Sequence, residues 1–558
     1  MPLGKVRVLL RVCKERPAAD VGAAGRVGPD APDQVGEDEA LAVGLKRRAQ
    51  GDVVQGVLRE EALGLERLVK GLAQGGGLFV PQNLPSFGLD EIIALADLPY
   101  AQRAAKVYQA FDTDLDDETI ERLMEATYGA AFDTEDICPV TSLDEKTHVL
   151  ELWHGPTSAF KDMALQCLPN FFSESARKLR EEGVIDHTFL ILVATSGDTG
   201  KAALEGFKDK DGIQIAVMYP DGGVSDIQYK QMATQEGSNV NVWAVSGNFD
   251  DCQTGAKNVF DDDAFNEALM NEQKVALSSA NSINWGRLLP QVVYYISTYA
   301  QLVKEGKVNA GDPIDVCVPT GNFGNILAAW YAKQMGTPID MLFCASNENK
   351  VLTDFIASGT YDIADRAFVL TPSPSMDILV SSNVERQLFE LSGRKSELIA
   401  EWMRELKEDK TFTVDDETRE KLQSEFKADS VDSETCLRTI KETFDRYDYL
   451  IDPHTAVAMK VANNLRGENP VVIASTAHWA KFGDNVYRAL HDLAPEEALP
   501  EEVASLSGCE LNELIAREAN KTHIPRGLAE LDEKPIRFTG VIEGSKRAIE
   551  AAVEDFVD

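Results

Sequence analysis

The stretch Thr188–Ser196 (TFLILVATS) is apolar at consecutive positions, then breaks at Gly197 into a helix-forming sequence from about Gly200. A strand with polar residues on neither face must be covered on both, and that condition is met in a parallel sheet sandwiched between helices. The same pattern recurs at Ile213–Pro220, Asn239–Val245, Ile314–Pro319, Ile339–Ala345 and Val471–Ser475. Amphipathic stretches near 226–236, 324–335 and from about 482 separate these runs. The spacing predicts an α/β fold of parallel sheets flanked by helices.

Around that core the chain divides unevenly. Residues 57–147 read as a mainly helical N-terminal domain, broken by Gly75-Gly76-Gly77-Leu78-Phe79-Val80-Pro81. Residues 148–383 carry most of the α/β core, 384–450 read as a charged helical insertion beside it, and 451–558 complete it. Residues 1–50 carry nine Lys/Arg against seven Asp/Glu and no sustained periodicity. They are expected to form a disordered leader, or to precede the true start of the protein.

The formal net charge of −37 excludes nonspecific nucleic-acid binding, which needs a basic surface. No apolar run reaches the ~20 residues that cross a bilayer. The eight cysteines are scattered without CxxC spacing, as in a protein of the reducing cytoplasm. No metal site is expected. The histidines lack HExxH spacing, and the calcium-loop start at Asp112, Asp114 and Asp116 fails because Asp117 and Leu123 stand where Gly and Glu are required. Those aspartates read instead as a polar helix entry.

Chemistry concentrates at strand ends. Thr195-Ser196-Gly197-Asp198-Thr199-Gly200 follows a buried strand and opens a helix, an arrangement that suits an anion or a capped βα turn. Lys201 does not make it a P-loop, since Thr195 replaces the first glycine and Ala202 the final hydroxyl. Pro319-Thr320-Gly321-Asn322-Phe323-Gly324-Asn325 repeats the strand-loop-helix plan and is a phosphate cradle. Asn281, Ser282, Asn284 and Arg287 precede a long apolar helix, either orienting a polar substrate or capping that helix. Thr476 ends a buried strand, where a hydroxyl meets a ligand in the crevice or caps the strand. Finally, Lys161 closes the Gly/Pro-bent run His154–Asp162. A lysine so held is a Schiff-base former if burial disfavours its ammonium, and otherwise a surface charge.

Taken together, HGPTSAFKD at 154–162, ATSGDTG at 194–200, SANSIN at 279–284, PTGNFGN at 319–325 and STAHWAKF at 475–482 resemble the fold-type II pyridoxal-phosphate enzymes of the tryptophan-synthase-β type, specifically the threonine synthase family. GGLFVP at 76–81 is similar to that family's N-terminal domain. The resemblance covers residues 57–558 and implies pyridoxal 5'-phosphate as cofactor, with Lys161 forming the internal aldimine. By the same resemblance Gly321, Asn322, Phe323 and Asn325 hold the cofactor phosphate and Thr476 faces the pyridine nitrogen. Thr195, Ser196, Asp198 and Thr199 would contact substrate or cofactor ring, together with Asn281, Ser282, Asn284 and Arg287. The implied reaction converts O-phospho-L-homoserine and water to L-threonine and phosphate.

Two other classes remain compatible with the motifs. One is a related lyase, a phospholyase or amino-acid dehydratase; the other is a metabolite-binding paralogue without catalysis. Monomer and homodimer are both open.

Overall fold

A computed structural model describes residues 59–60, 69 and 77–558, apart from 112, 196, 521 and 522. The leader at 1–50, Cys13 and the site residue Ser196 lie outside the described residues.

The apolar runs form strands of two sheets. The first has six strands in the order Phe426–Ser430, Ile339–Ser346, Ile314–Pro319, Val471–Ser475, Thr147–Glu151, Val140–Ser142. All neighbours in it run parallel except the last pair, 140–142 with 147–151. The second sheet has five parallel strands in the order Val541–Glu543, Val240–Ser246, Ile213–Pro220, Thr188–Ala194, Val275–Ser278. In Thr188–Ala194 every residue after Thr188 is buried, and Ile314–Pro319 and Val471–Ser475 are buried throughout. The α/β expectation therefore holds, divided between two sheets.

Five strands of the two sheets escaped the apolar criterion: Val140–Ser142, Thr147–Glu151, Val275–Ser278, Phe426–Ser430 and Val541–Glu543. Phe426–Ser430 corrects the reading of 384–450 as a helical insertion, because it pairs with Ile339–Ser346 and extends the core sheet. After Phe426, Lys427 is exposed and the next three residues are only partly buried, as an edge strand allows, so their polarity hid the strand. Charged helices do surround it, at Val384–Leu391, Ser396–Asp409, Asp416–Glu425 and Ser433–Tyr447.

N-terminal to the sheets lie the helices Leu89–Leu95, Tyr100–Ala110 and Asp117–Thr127. Asp116 caps the last of them, accepting from Thr119 N at 2.8 Å, which is the helix entry expected of the aspartate run. Seven cysteines, from Cys138 to Cys509, are unpaired and buried. Among the described residues no helix is long and apolar enough to cross a membrane, and no group of His, Cys, Asp and Glu could hold a metal ion.

Candidate active site

Lys161 opens the short helix Lys161–Leu165 and is only 8% exposed. The run before it is a built loop. Asp162 accepts from Thr157 N at 2.8 Å and from Thr157 Oγ1 at 2.7 Å, and a Cβ on Gly155 would strike its side chain at 2.3 Å. Burial pushes the Asp162 carboxyl up to about 6 against those two bonds. A bridge between Ala159 and Ala477, with Phe160 N donating to Thr476 O at 2.8 Å, pins this loop to the end of the Val471–Ser475 strand. Lys161 and Thr476 are thereby neighbours in space.

The amine of Lys161 lies 3.3 Å from Asp198 Oδ2 and 3.2 Å from Ser375 Oγ. Burial lowers its pKa, the Arg287 and Lys481 charges lower it further, and Asp198 opposes them. Asp198 begins the helix Asp198–Phe207, so the carboxyl end of Thr188–Ala194 in the second sheet meets the Lys161 loop of the first. Its Oδ2 also accepts from Ser375 Oγ at 3.2 Å, and its Oδ1 receives Gln228 Nε2 at 3.0 Å and Lys481 Nζ at 2.9 Å. Burial alone would raise the Asp198 carboxyl; the Lys481 and Lys161 charges hold it well below the usual range. Gly197, at φ +127°, leaves space for Gln228, which a Cβ would meet at 2.4 Å.

Ser375 sits on the 3₁₀ turn Pro374–Met376, and two groups hold that turn. Its backbone N–H donates to His454 Nε2 at 3.2 Å, while His454 Nδ1 lies 2.6 Å from Asp452 Oδ2. Nε2 thus accepts from the turn while Nδ1 faces Asp452. On the other side, Asp377 accepts from Asn347 Nδ2 at 2.7 Å and Thr371 Oγ1 at 2.7 Å.

The Gly321–Asn325 loop packs against the same turn. A Cβ on Gly321 would lie 2.7 Å from Ser375 O, so only glycine permits the approach. Phe323 adopts φ 62° and caps the helix Gly324–Gln334. Asn322 is exposed, and its Oδ1 accepts from Ser382 Oγ at 3.1 Å, so its side chain is turned to the protein and the backbone is what it offers a ligand. Asn325 is buried; its Oδ1 accepts from two tyrosine hydroxyls, while its Nδ2 has no partner among the described residues.

Other expected contacts are occupied locally. The Thr195 hydroxyl accepts from Gly197 N at 3.0 Å and Gly200 N at 2.9 Å, stapling its own loop. Asn284 Oδ1 caps the helix Trp285–Lys304 through Gly286 N at 2.9 Å. Ser282 Oγ lies 3.3 Å from Ser382 Oγ and accepts from Asn383 Nδ2 at 3.2 Å. Thr199 and Asn281 are half-buried. Arg287 differs: it is buried, donates to Ala280 O at 2.9 Å, and has its pKa lowered to about 10 by burial.

Ser375, Gln228, His454 and Lys481 were not singled out from sequence. Lys481 lay inside the STAHWAKF run, and Ser375 inside Thr371-Pro372-Ser373-Pro374-Ser375, whose alternating prolines were the one available signal. Arg386 is a further addition. Fully buried, it donates to Phe79 O at 3.0 Å, Ser282 O at 3.2 Å and Asn383 Oδ1, tying the N-terminal loop to the two polar loops.

Known proteins share the sequence and the fold. Residues 142–476 match the family described as pyridoxal-phosphate dependent enzyme, 60–128 the threonine synthase N terminus, and 455–556 the threonine synthase C-terminal family. Threonine synthase of Pseudomonas aeruginosa is 39% identical over 83% of this chain and 93% of its own. The human protein threonine synthase-like 1 is 43% identical over 76% of this chain, which spans only 58% of that relative's length. Among solved structures, PLP-bound threonine synthase from Brucella melitensis matches with TM-score 0.75 at 35% identity, covering 89% of this chain and 98% of that one. The yeast threonine synthase structure matches with TM-score 0.76 at 31% identity, covering 88% and 96%. With two buried sheets meeting at Lys161 and three matching families along its length, the chain belongs to the pyridoxal-phosphate-dependent enzymes of the threonine synthase family.

Proposed function

We propose that this chain is a threonine synthase, converting O-phospho-L-homoserine and water to L-threonine and phosphate. The observation that carries the reading is a buried amine, Lys161, whose charge is disfavoured, within electrostatic reach of the buried guanidinium of Arg287.

The residues present fit pyridoxal phosphate. Asn325 Nδ2 is an unspent donor, and the first N–H groups of Gly324–Gln334 point away from their own helix, as an anion requires. Gly321, Asn322, Phe323 and Asn325 would hold the phosphate, Thr476 would face the pyridine nitrogen, and Lys161 would carry the aldehyde carbon. Bound there, the cofactor supplies an electron sink conjugated to the amino-acid carbons.

We assign the remaining steps to this chain's side chains. Lys161 Nζ would take the Cα proton and handle the protons at Cβ and Cγ. Ser375 and Asp198 hold Nζ in place between those carbons, and Lys481 keeps Asp198 ionised. Arg287 receives an anionic end of the substrate, with Thr199, Asn281 and Ser282 lining the approach. Phosphate leaves from Cγ, and water adds at Cβ.

Incubation of the protein with pyridoxal phosphate and O-phospho-L-homoserine tests the reading. Threonine and phosphate in equal amounts support it. Phosphate with 2-oxobutanoate and ammonia would instead make the chain a phospholyase, and absence of turnover would make it a binding paralogue.

A further inference from the structure

Asn325 Oδ1 accepts from two consecutive tyrosines, Tyr294 and Tyr295, each hydroxyl 2.6 Å away. Consecutive side chains on a helix project about 100° apart, so meeting at one atom requires that atom to sit in the groove between them. The rings lie 4.7 Å apart between centroids, and all three residues are buried. Burial pushes both phenols well above their ordinary value, so they remain neutral donors. A separation of 2.6 Å suits O–H···O, whereas an amide N–H donating to a phenol oxygen would sit near ~2.9 Å. The amide is thus oriented with its oxygen on the tyrosines and its Nδ2 left over, buried and without a partner among the described residues. A buried, unspent donor is costly unless a ligand takes it.

We propose that Tyr294 and Tyr295 are positioning residues that lock the Asn325 amide so that its NH₂ is presented to the cofactor's phosphate. The inference rests on the reading of 319–325 as the phosphate cradle. It also gives the helix Trp285–Lys304 two duties, since Arg287 stands two turns before the tyrosines on the same helix. Substrate-side cation and cofactor-side clamp then move together.

The test uses the full chain stripped of cofactor, titrated separately with pyridoxal phosphate and with pyridoxal, which lacks the phosphate. Tyr294→Phe and Tyr295→Phe should each raise the Kd for pyridoxal phosphate roughly three- to tenfold, the worth of one hydrogen bond. Affinity for pyridoxal should stay within about twofold, since the lost bond serves only the phosphate. On an Asn325→Ala background neither tyrosine change should weaken binding further. The ³¹P resonance of the bound cofactor should also shift in each variant, a readout independent of turnover. Equal weakening of both ligands, or none, would overturn the tyrosine assignment. A wild-type chain that binds pyridoxal as tightly as its phosphate would overturn the cradle reading, and the assignment with it.

Discussion

Lys481 Nζ lies 2.9 Å from Asp198 Oδ1, on the carboxylate oxygen opposite the one that faces Lys161. One buried carboxylate thus serves two buried lysines, and the second also donates to Thr157 O at 2.9 Å in the loop that carries the first. Burial is the largest influence that disfavours the Lys161 ammonium; Asp198 opposes it, and the Arg287 and Lys481 charges offset part of what Asp198 gives.

Replacing Lys481 tests this balance. Lys481→Met removes a repelling charge from Lys161 and frees Asp198 to serve it alone, and both changes raise the Lys161 pKa. Competitive acetylation of the cofactor-free protein across pH, read at Lys161 by peptide mass spectrometry, should show its titration displaced upward. A downward displacement would rule out the charge argument. Stability should fall by about 3 kcal/mol, the lower end for stripping a buried ion pair, because Lys161 and Gln228 still face Asp198.

Lys161 itself should be the point of covalent attachment. Borohydride reduction of the cofactor-loaded protein, followed by digestion, is expected to leave the pyridoxyl mass on the peptide containing Lys161. Lys161→Ala should abolish the label while still binding cofactor through the phosphate loop. A label on Lys481 or Lys201, the other buried lysines near Asp198 and its helix, would displace Lys161 from its role.

His154, seven residues before Lys161, is held by Asp133 Oδ1 at 2.6 Å and Glu151 Oε2 at 2.9 Å. Burial would lower its pKa, but the two carboxylates override that and raise it to about 9. A folded-state pKa above the unfolded value means stability that is fully present below pH ~6.5 and lost as pH climbs through about 9. His154→Gln should therefore cost on the order of 2 kcal/mol at pH 6, after allowing for screening at the half-exposed Asp133, and much less at pH 10. Urea unfolding of both proteins at the two pH values checks this; a pH-independent difference would mean packing alone.

How far the site could be read from sequence depended on where each residue stands along its strand. Thr476, Gly321 and Asp198 follow apolar runs that announce themselves, so their place at strand ends was legible. Ser375 follows no strand; it reaches Lys161 only because two residues distant in sequence hold its turn, His454 directly and Asn347 through the neighbouring Asp377. The Lys481–Asp198 pair spans the two sheets, and a local pattern contains no information on how two sheets face each other. Phe426–Ser430 was hidden for a different reason, since a polar edge strand shows no buried-strand signature.

Thr476 offers the sharpest test of the assigned chemistry. Its carbonyl is committed to Phe160 N, so the Lys161 loop stays anchored whatever side chain stands there. Substitution then probes the hydroxyl alone. Thr476→Val keeps the volume and deletes the bond assigned to the pyridine nitrogen, which should weaken cofactor binding by ~1 kcal/mol, about fivefold in Kd. Thr476→Asp sets a carboxylate opposite that nitrogen and favours its protonated form by charge complementarity. The stronger electron withdrawal that follows should stabilise negative charge at Cα and slow the later loss of phosphate and addition of water, shifting products away from threonine. Cofactor occupancy, visible spectrum and product ratio together distinguish these effects. Wild-type values for both variants would reduce Thr476 to the residue that ends the Val471–Ser475 strand, and the nitrogen's partner would have to be sought on another loop.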